Sequence, residues 1–385
     1  MKKIFFVLHS AFIILNCATA QPAIQWQKCF GGTSSDGALS IQQTSDGGYI
    51  AAGHSFSNNG DVTGNHGGQD AWIVKLDGSG NLQWQKCLGG TGFDGAKSIQ
   101  QTSDGGYIIA AGSTSNDGDV TGNHGNWDYW IVKIDSGGTI QWQKSLGGTL
   151  GDYLESPYSI DQTSDGGYIV VGGSYSLDGD VTGNHGNQDY WIVKLDSAGT
   201  LQWQKSLGGT GFEQAASVRQ TVDGGYVCMG YSGSNNGDVT GNHGDNDYWL
   251  VKLDSSGTIQ WQNCLGGTGT DNGNSIERIL PSGYIVAGYS ESNNGDVSGN
   301  HGQGDIWITQ LSNMGIIQWQ KCLGGTDIDY FPVAIQANSF GYVVAGNTYS
   351  NNGNVTGNHG DEDYWLVRVD GIGTILWQKC LGGTG

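Results

Sequence analysis

The residues best placed to do chemistry recur at fixed spacing through the chain. One acid stands in a polar loop as Asp61, Asp119, Asp180, Asp238 and Asp296, with Asn354 in the last copy. A second follows nine residues later as Asp70, Asp128, Asp189, Asp247, Asp305 and Asp363. A hard cation takes several oxygen ligands, and an Asn/Gly-rich loop can wrap to supply them, so calcium is the cofactor these acids would hold. Their spacing matches no EF-hand. Asn, Asp and Gly are also turn formers whose side chains bond their own backbone, and most of the weight falls on that account.

Histidine recurs once per copy in G-N-H-G, as His66, His124, His185, His243, His301 and His359. One imidazole per loop, with no second His or thiolate nearby, lacks the spacing of a tetrahedral zinc site. The expected role is a hydrogen bond to the neighbouring loop, with ligand contact or a response to pH as the alternative. Trp127 and Tyr129, beside the second loop, are the aromatics expected to touch a glycan. No nucleophile stands beside a base and an orienting acid, and near-identical loops offer one group six times where an active site needs distinct roles. The expectation is no enzyme. Departures from the repeat are few: His54, Trp127, the insertion around Leu154 to Pro157, Cys228-Met229 and Phe331-Pro332.

These loops belong to a long repeat. Trp26, Trp84, Trp142, Trp203, Trp261, Trp319 and Trp377 each sit in [IL]-[QL]-W-Q, at spacings of 58, 58, 61, 58, 58 and 58. In the second copy, Ala96 to Thr102 predicts a short strand and Ser103-Asp104-Gly105-Gly106 a turn. Tyr107 to Gly112 predicts a strand buried on both faces. After the loop, Asp128 to Asp135 alternates, with Trp130, Val132 and Ile134 on one face. Thr139 to Leu146 completes a four-stranded antiparallel meander. Such sheets in series predict an all-β fold, a β-propeller of six blades with four antiparallel strands each. Seven tryptophan strands compete for six outer places, so either Ala23 to Phe30 or Thr374 to Leu381 is spare. With strands running outward from the axis, the long loops and the blade-to-blade connections share one face, where function is expected.

The stretch Leu253 to Trp261 (LDSSGTIQW) resembles the tryptophan-docking segment of quinoprotein-type propellers. There an Asp, a turn Gly and a following Trp lock adjacent blades. The whole unit, over roughly residues 22 to 385, is similar to repeats in secreted or surface propeller proteins of Gram-negative bacteria. That resemblance implies fold far more than activity. Gly89 to Lys97 (GGTGFDGAK) also resembles the calcium-binding nonapeptide of β-rolls, which needs its nine residues in tandem; here they return every 58. Sialidase-like propellers need an arginine cluster, whereas Arg219, Arg278 and Arg368 stand where other copies have Gln or Lys.

Composition sets the outer bounds. Gly numbers 69 of 385 residues and Pro only 4, which excludes collagen and Pro-rich linkers. A net charge of −20 repels phosphate backbones, so nucleic acid is a poor partner. Residues 1–20 have the form of a signal peptide: Lys2-Lys3, an apolar run to Leu15, and Ala18-Thr19-Ala20 as the cleavage site. No other run approaches a membrane helix. Cys29, Cys87, Cys264, Cys322 and Cys380 share a slot that Ser145 and Ser206 fill elsewhere, so packing and free thiols are expected. The sequence thus predicts an exported propeller, one domain over 21–385, that binds a surface glycan or protein without catalysis.

Overall fold

The computed structural model describes residues 21–149, 157–279, 281, 283–338 and 341–384, so the expected signal peptide over 1–20 and most of the insertion around Leu154 to Pro157 lie outside the described residues. The chain is all-β, six blades of four antiparallel strands in β-propeller arrangement, each sheet in simple sequence order. Blade 1 holds β1 (Asp36–Gln43), β2 (Tyr49–Ser55), β3 (Asp70–Leu76) and β4 (Leu82–Leu88). Blade 2 holds β5 (Asp94–Gln101), β6 (Tyr107–Ser113), β7 (Asp128–Ile134) and β8 (Ile140–Leu146). Blade 3 holds β9 (Pro157–Gln162), β10 (Tyr168–Ser174), β11 (Asp189–Leu195) and β12 (Leu201–Leu207). Blade 4 holds β13 (Glu213–Gln220), β14 (Tyr226–Ser232), β15 (Asp247–Leu253) and β16 (Ile259–Leu265). Blade 5 holds β17 (Asp271–Ile279), β18 (Gly283–Ser290), β19 (Asp305–Leu311) and β20 (Ile317–Leu323). Blade 6 holds β21 (Asp329–Asn338), β22 (Gly341–Thr348), β23 (Asp363–Val369) and β24 (Ile375–Leu381). Two compact units divide the chain: Ala23–Asn184 with Gln188–Leu207, and His185–Asn187 with Gly208–Gly385.

Within the first unit, blade 1 packs its Ile50, Ala52, Ala71, Ile73 and Leu88 against Ala96, Ile99, Ile109, Trp130 and Val132 of blade 2. Burial on both sides changes one expectation. β7 sets Trp130, Val132 and Ile134 on one face as expected, but every residue of it is buried, because Tyr129 and Ile131 on the other face are covered by Tyr168, Val170 and Trp191 of blade 3. An interior strand of a blade has no solvent face, so Lys133 is buried with the rest.

Its ammonium is matched in place. Lys133 Nζ donates to Asp104 Oδ1 at 3.2 Å, to the Ile134 carbonyl at 3.2 Å and to Gln141 Oε1 at 3.0 Å. Lys75, Lys194 and Lys252 pair likewise with Asp46, Asp165 and Asp223. Blade 5 has neither charge: Gln310 replaces the lysine, and its turn is Pro281-Ser282-Gly283.

Trp84 of blade 1 stands edge-on to Tyr107 of blade 2, centroids 6.0 Å apart. It also presses on Gly138, whose φ of +84° suits glycine and whose missing Cβ would lie 3.2 Å from the indole. Trp142 and Trp261 meet Tyr168 and Tyr284 in the same way. The spare strand is the N-terminal one. Thr374 to Leu381 supplies β24 in the sixth sheet, whereas Ala23 to Phe30 joins no sheet and instead packs Trp26 and Phe30 on blade 1.

Candidate functional site

The long loops and the blade-entry connections do lie together, because the loop acids tie them. Asp61 Oδ2 accepts from the Gly31 N–H at 3.1 Å, and Asp119, Asp180, Asp238 and Asp296 accept from Gly89, Gly147, Gly208 and Gly266 at 3.2 to 3.3 Å. Asn354, the neutral exception, does the same work through Oδ1 to the Gly324 N–H. A position where Asn replaces Asp without changing the contact is serving as an acceptor, and charge is secondary.

The second acid is fully buried in all six copies. His66 closes on Asp70 twice, through its backbone N–H at 3.0 Å and Nδ1 at 2.7 Å. His124, His243, His301 and His359 do so with Asp128, Asp247, Asp305 and Asp363. The far nitrogen, Nε2, approaches the loop acid of the next blade: His66 reaches Asp119 at 4.0 Å, His124 reaches Asp180 at 3.7 Å and His185 reaches Asp238 at 3.9 Å. The hydrogen bond is therefore to the histidine's own loop rather than the neighbouring one, whose acid Nε2 approaches at 3.7 to 4.0 Å.

The two acids of one loop thus have different partners, the first a blade-connecting glycine N–H and the second a histidine. Among the described residues no three His, Cys, Asp or Glu side chains group as metal ligands. The Oδ1 atoms of Asp70, Asp128, Asp247, Asp305 and Asp363 nonetheless accept nothing. Burial raises the carboxyls of Asp70, Asp128, Asp247 and Asp305 above their ordinary range despite the histidine bonds. Asp70, Asp247 and Asp305 each feel the charge of the acid that opens the following blade, Asp94, Asp271 and Asp329. A methyl on Gly266 would lie 2.6 Å from both Asp247 Oδ1 and Asp271 Oδ2.

Tyr129 is not an exposed contact. It is 0% exposed, with its hydroxyl donating to the Trp191 carbonyl at 3.3 Å, because its strand is covered by the next blade. Trp127 is half-buried. The thiols are free as expected: Cys87, Cys228, Cys264, Cys322 and Cys380 are buried and Cys29 exposed. Burial, with the Asp70 and Asp36 charges, pushes the Cys87 thiol up to about 12. On the opposite face, a cavity of about 430 Å³ opens beside Asp104, Lys133, Gln141, Trp142 and Tyr168, where the polar groups already bond one another.

What the sequence search missed is a bulge. In blades 1, 2, 4 and 5 the first strand slips register between a small residue and a serine: Ala38/Ser40, Ala96/Ser98, Ala215/Ser217 and Gly273/Ser275. In β9 the slip falls at Tyr158, between Pro157 and Ser159. The unpaired residue differs every time: Leu39, Lys97, Tyr158, Ala216 and Asn274. Bulges re-aim side chains and gather next to functional sites. The signal was present as a variable slot inside the frame [AGP]-x-S-[IV], which looks like tolerance until the register is known.

No family model matches this chain, and no curated protein does. Among solved structures it is similar to a protein of unknown function from Dyadobacter fermentans, at 14% identity and TM-score 0.50, covering 86% of this chain and 94% of that one. A protein of unknown function from Bacteroides caccae is aligned at 12% identity and TM-score 0.45, over 77% of this chain and 85% of that one. At such identity the likeness is one of fold.

Proposed function

We propose that the chain is an exported, non-catalytic propeller that binds a glycan or protein ligand at the cell surface. The observation that carries this reading is the bulge: one structural position, repeated in blades 1 to 5, holds five different side chains. A rigid frame that varies one projecting residue per copy can read a ligand along its length, whereas catalysis would need distinct groups brought to one atom. The loop acids and histidines, the other recurring polar groups, are engaged in holding the loops. Export rests on the form of residues 1–20.

The test is retention of the mature protein on arrays of immobilised glycans and surface proteins, in calcium and in EDTA, with the flow-through assayed for cleavage products. Saturable retention without turnover supports the reading. Turnover of any array component, or no retention at all, refutes it, and retention lost only in EDTA would restore calcium to the loops.

A further inference from the structure

In a chain built of copies, a place where several departures meet is where something other than the fold is being served. One such place lies in blades 1 to 3. Lys97, the bulge residue of β5, holds its Nζ 5.7 Å over the ring of Tyr158, the bulge residue of β9. The charge of Lys97 reaches His54, near the end of β2. His54 meets Phe56 edge-on at 6.3 Å, and Phe56 meets Phe93 at 6.3 Å. Phe93 has a counterpart in Phe212 of blade 4; the other four recur at their positions in no other described copy.

The fully buried lysines of the described residues are matched. Lys75, Lys133, Lys194 and Lys252 each close on a carboxylate. Among the described residues Lys97 meets the Tyr158 ring and no carboxylate, although acids outnumber bases 36 to 16. Burial holds its ammonium below the ordinary lysine range, and burial with the Lys97 charge does the same to His54, against the pull of Asp36. A half-buried ammonium with no carboxylate beside it among the described residues suits an anionic group. The rings beside it are open: Tyr158 is 37%, Phe56 40% and Phe93 50% exposed.

From this geometry we infer that Lys97, Tyr158, His54, Phe56 and Phe93 form a site for a carboxylate-bearing sugar, a uronate residue of an acidic glycan. The ammonium takes the carboxylate, the exposed ring faces take the apolar face of the pyranose, and His54 offers a nitrogen to a hydroxyl. The inference rests on the binding role proposed above and names its ligand class.

The probe is a tri-galacturonate, with a neutral trisaccharide and a short poly-glutamate as controls, titrated calorimetrically into the mature full chain. Lys97→Met should weaken tri-galacturonate binding about tenfold or more, and Lys97→Arg should keep most of it. Both variants should fold, since Leu39, Ala216 and Asn274 occupy the same bulge. Acetylation mapped by mass spectrometry gives a second readout: Lys97 should react ahead of the carboxylate-paired lysines and be shielded by tri-galacturonate. Binding that survives Lys97→Met, or Lys97 left unshielded, overturns the site. Equal binding of poly-glutamate or the neutral sugar overturns the ligand class. Retention on the arrays that is indifferent to Lys97 would sink this site while leaving the general binding role intact.

Discussion

Replacing Asp104 by Asn tests how a blade tolerates a buried charge. The Lys133 side chain is 4% exposed and its carboxylate partner 55% exposed. Asn at 104 leaves the ammonium to neutral acceptors, the Ile134 carbonyl and Gln141 among them. Breaking a fully buried pair costs about 3–5 kcal/mol. With one partner half in water, the loss of a hydrogen bond to a charged group is the better guide, about 1.5–3 kcal/mol. Blade 5 shows the remedy, since Gln310 there accepts from Trp319 Nε1 at 2.5 Å with no charge present. Adding Lys133→Gln to Asp104→Asn should therefore recover at least half of the loss, a coupling of about 1 kcal/mol or more. Urea unfolding followed by tryptophan fluorescence, compared at equal slope, gives both numbers. The pH dependence supplies a second check. Burial opposes ionisation of Asp104, but hydrogen bonds from Thr102, Lys133 and the Gly106 N–H outweigh it and bring the carboxyl down to about 2 from 3.8. A depressed carboxyl stabilises the fold above its unfolded value and loses that contribution as pH falls toward the folded one. The penalty of Asp104→Asn should thus be constant above about pH 5 and shrink between there and pH 2. A double variant no more stable than the single, or a penalty that grows in acid, refutes the reasoning.

Three further outcomes are expected. Gly266→Ala should cost about 1–3 kcal/mol, because its methyl would meet two carboxylates and overpacking is not relieved cheaply; an unchanged urea midpoint would show that Asp247 and Asp271 can part. Thiol titration of native protein should find Cys29 reacting first and the buried cysteines only after unfolding, with no disulfide in the denatured, unreduced chain; two or three bridges would contradict the packing role. Calcium should raise the melting midpoint no more than magnesium at matched ionic strength, since the loop acids already accept from backbone N–H groups; a calcium-specific rise near 2.7 kcal/mol at hundredfold excess over Kd would mean that the loops open to bind it.

The repeat made the architecture legible before any coordinates. Tryptophans 58 residues apart, glycines at the turns and β-rich runs such as Tyr107 to Gly112 are local patterns, and local patterns determine local structure. The tertiary structure decided what depends on which neighbour covers a strand. Tyr129 and Lys133 read as outward residues of an alternating strand, yet both are buried because a second blade packs on that side. The loop acids and histidines read chiefly as turn and loop-holding residues, but which partners they hold becomes visible only when Gly89 and Asp119, thirty residues apart, are brought within one hydrogen bond. The bulge at Lys97 is the clearest case. Its neighbours announce a strand, and period-two alternation assigns every side chain a face, but an extra residue resets that alternation. Where the slip falls is fixed by pairing between β5 and β6, a property of two strands that neither stretch of sequence carries alone.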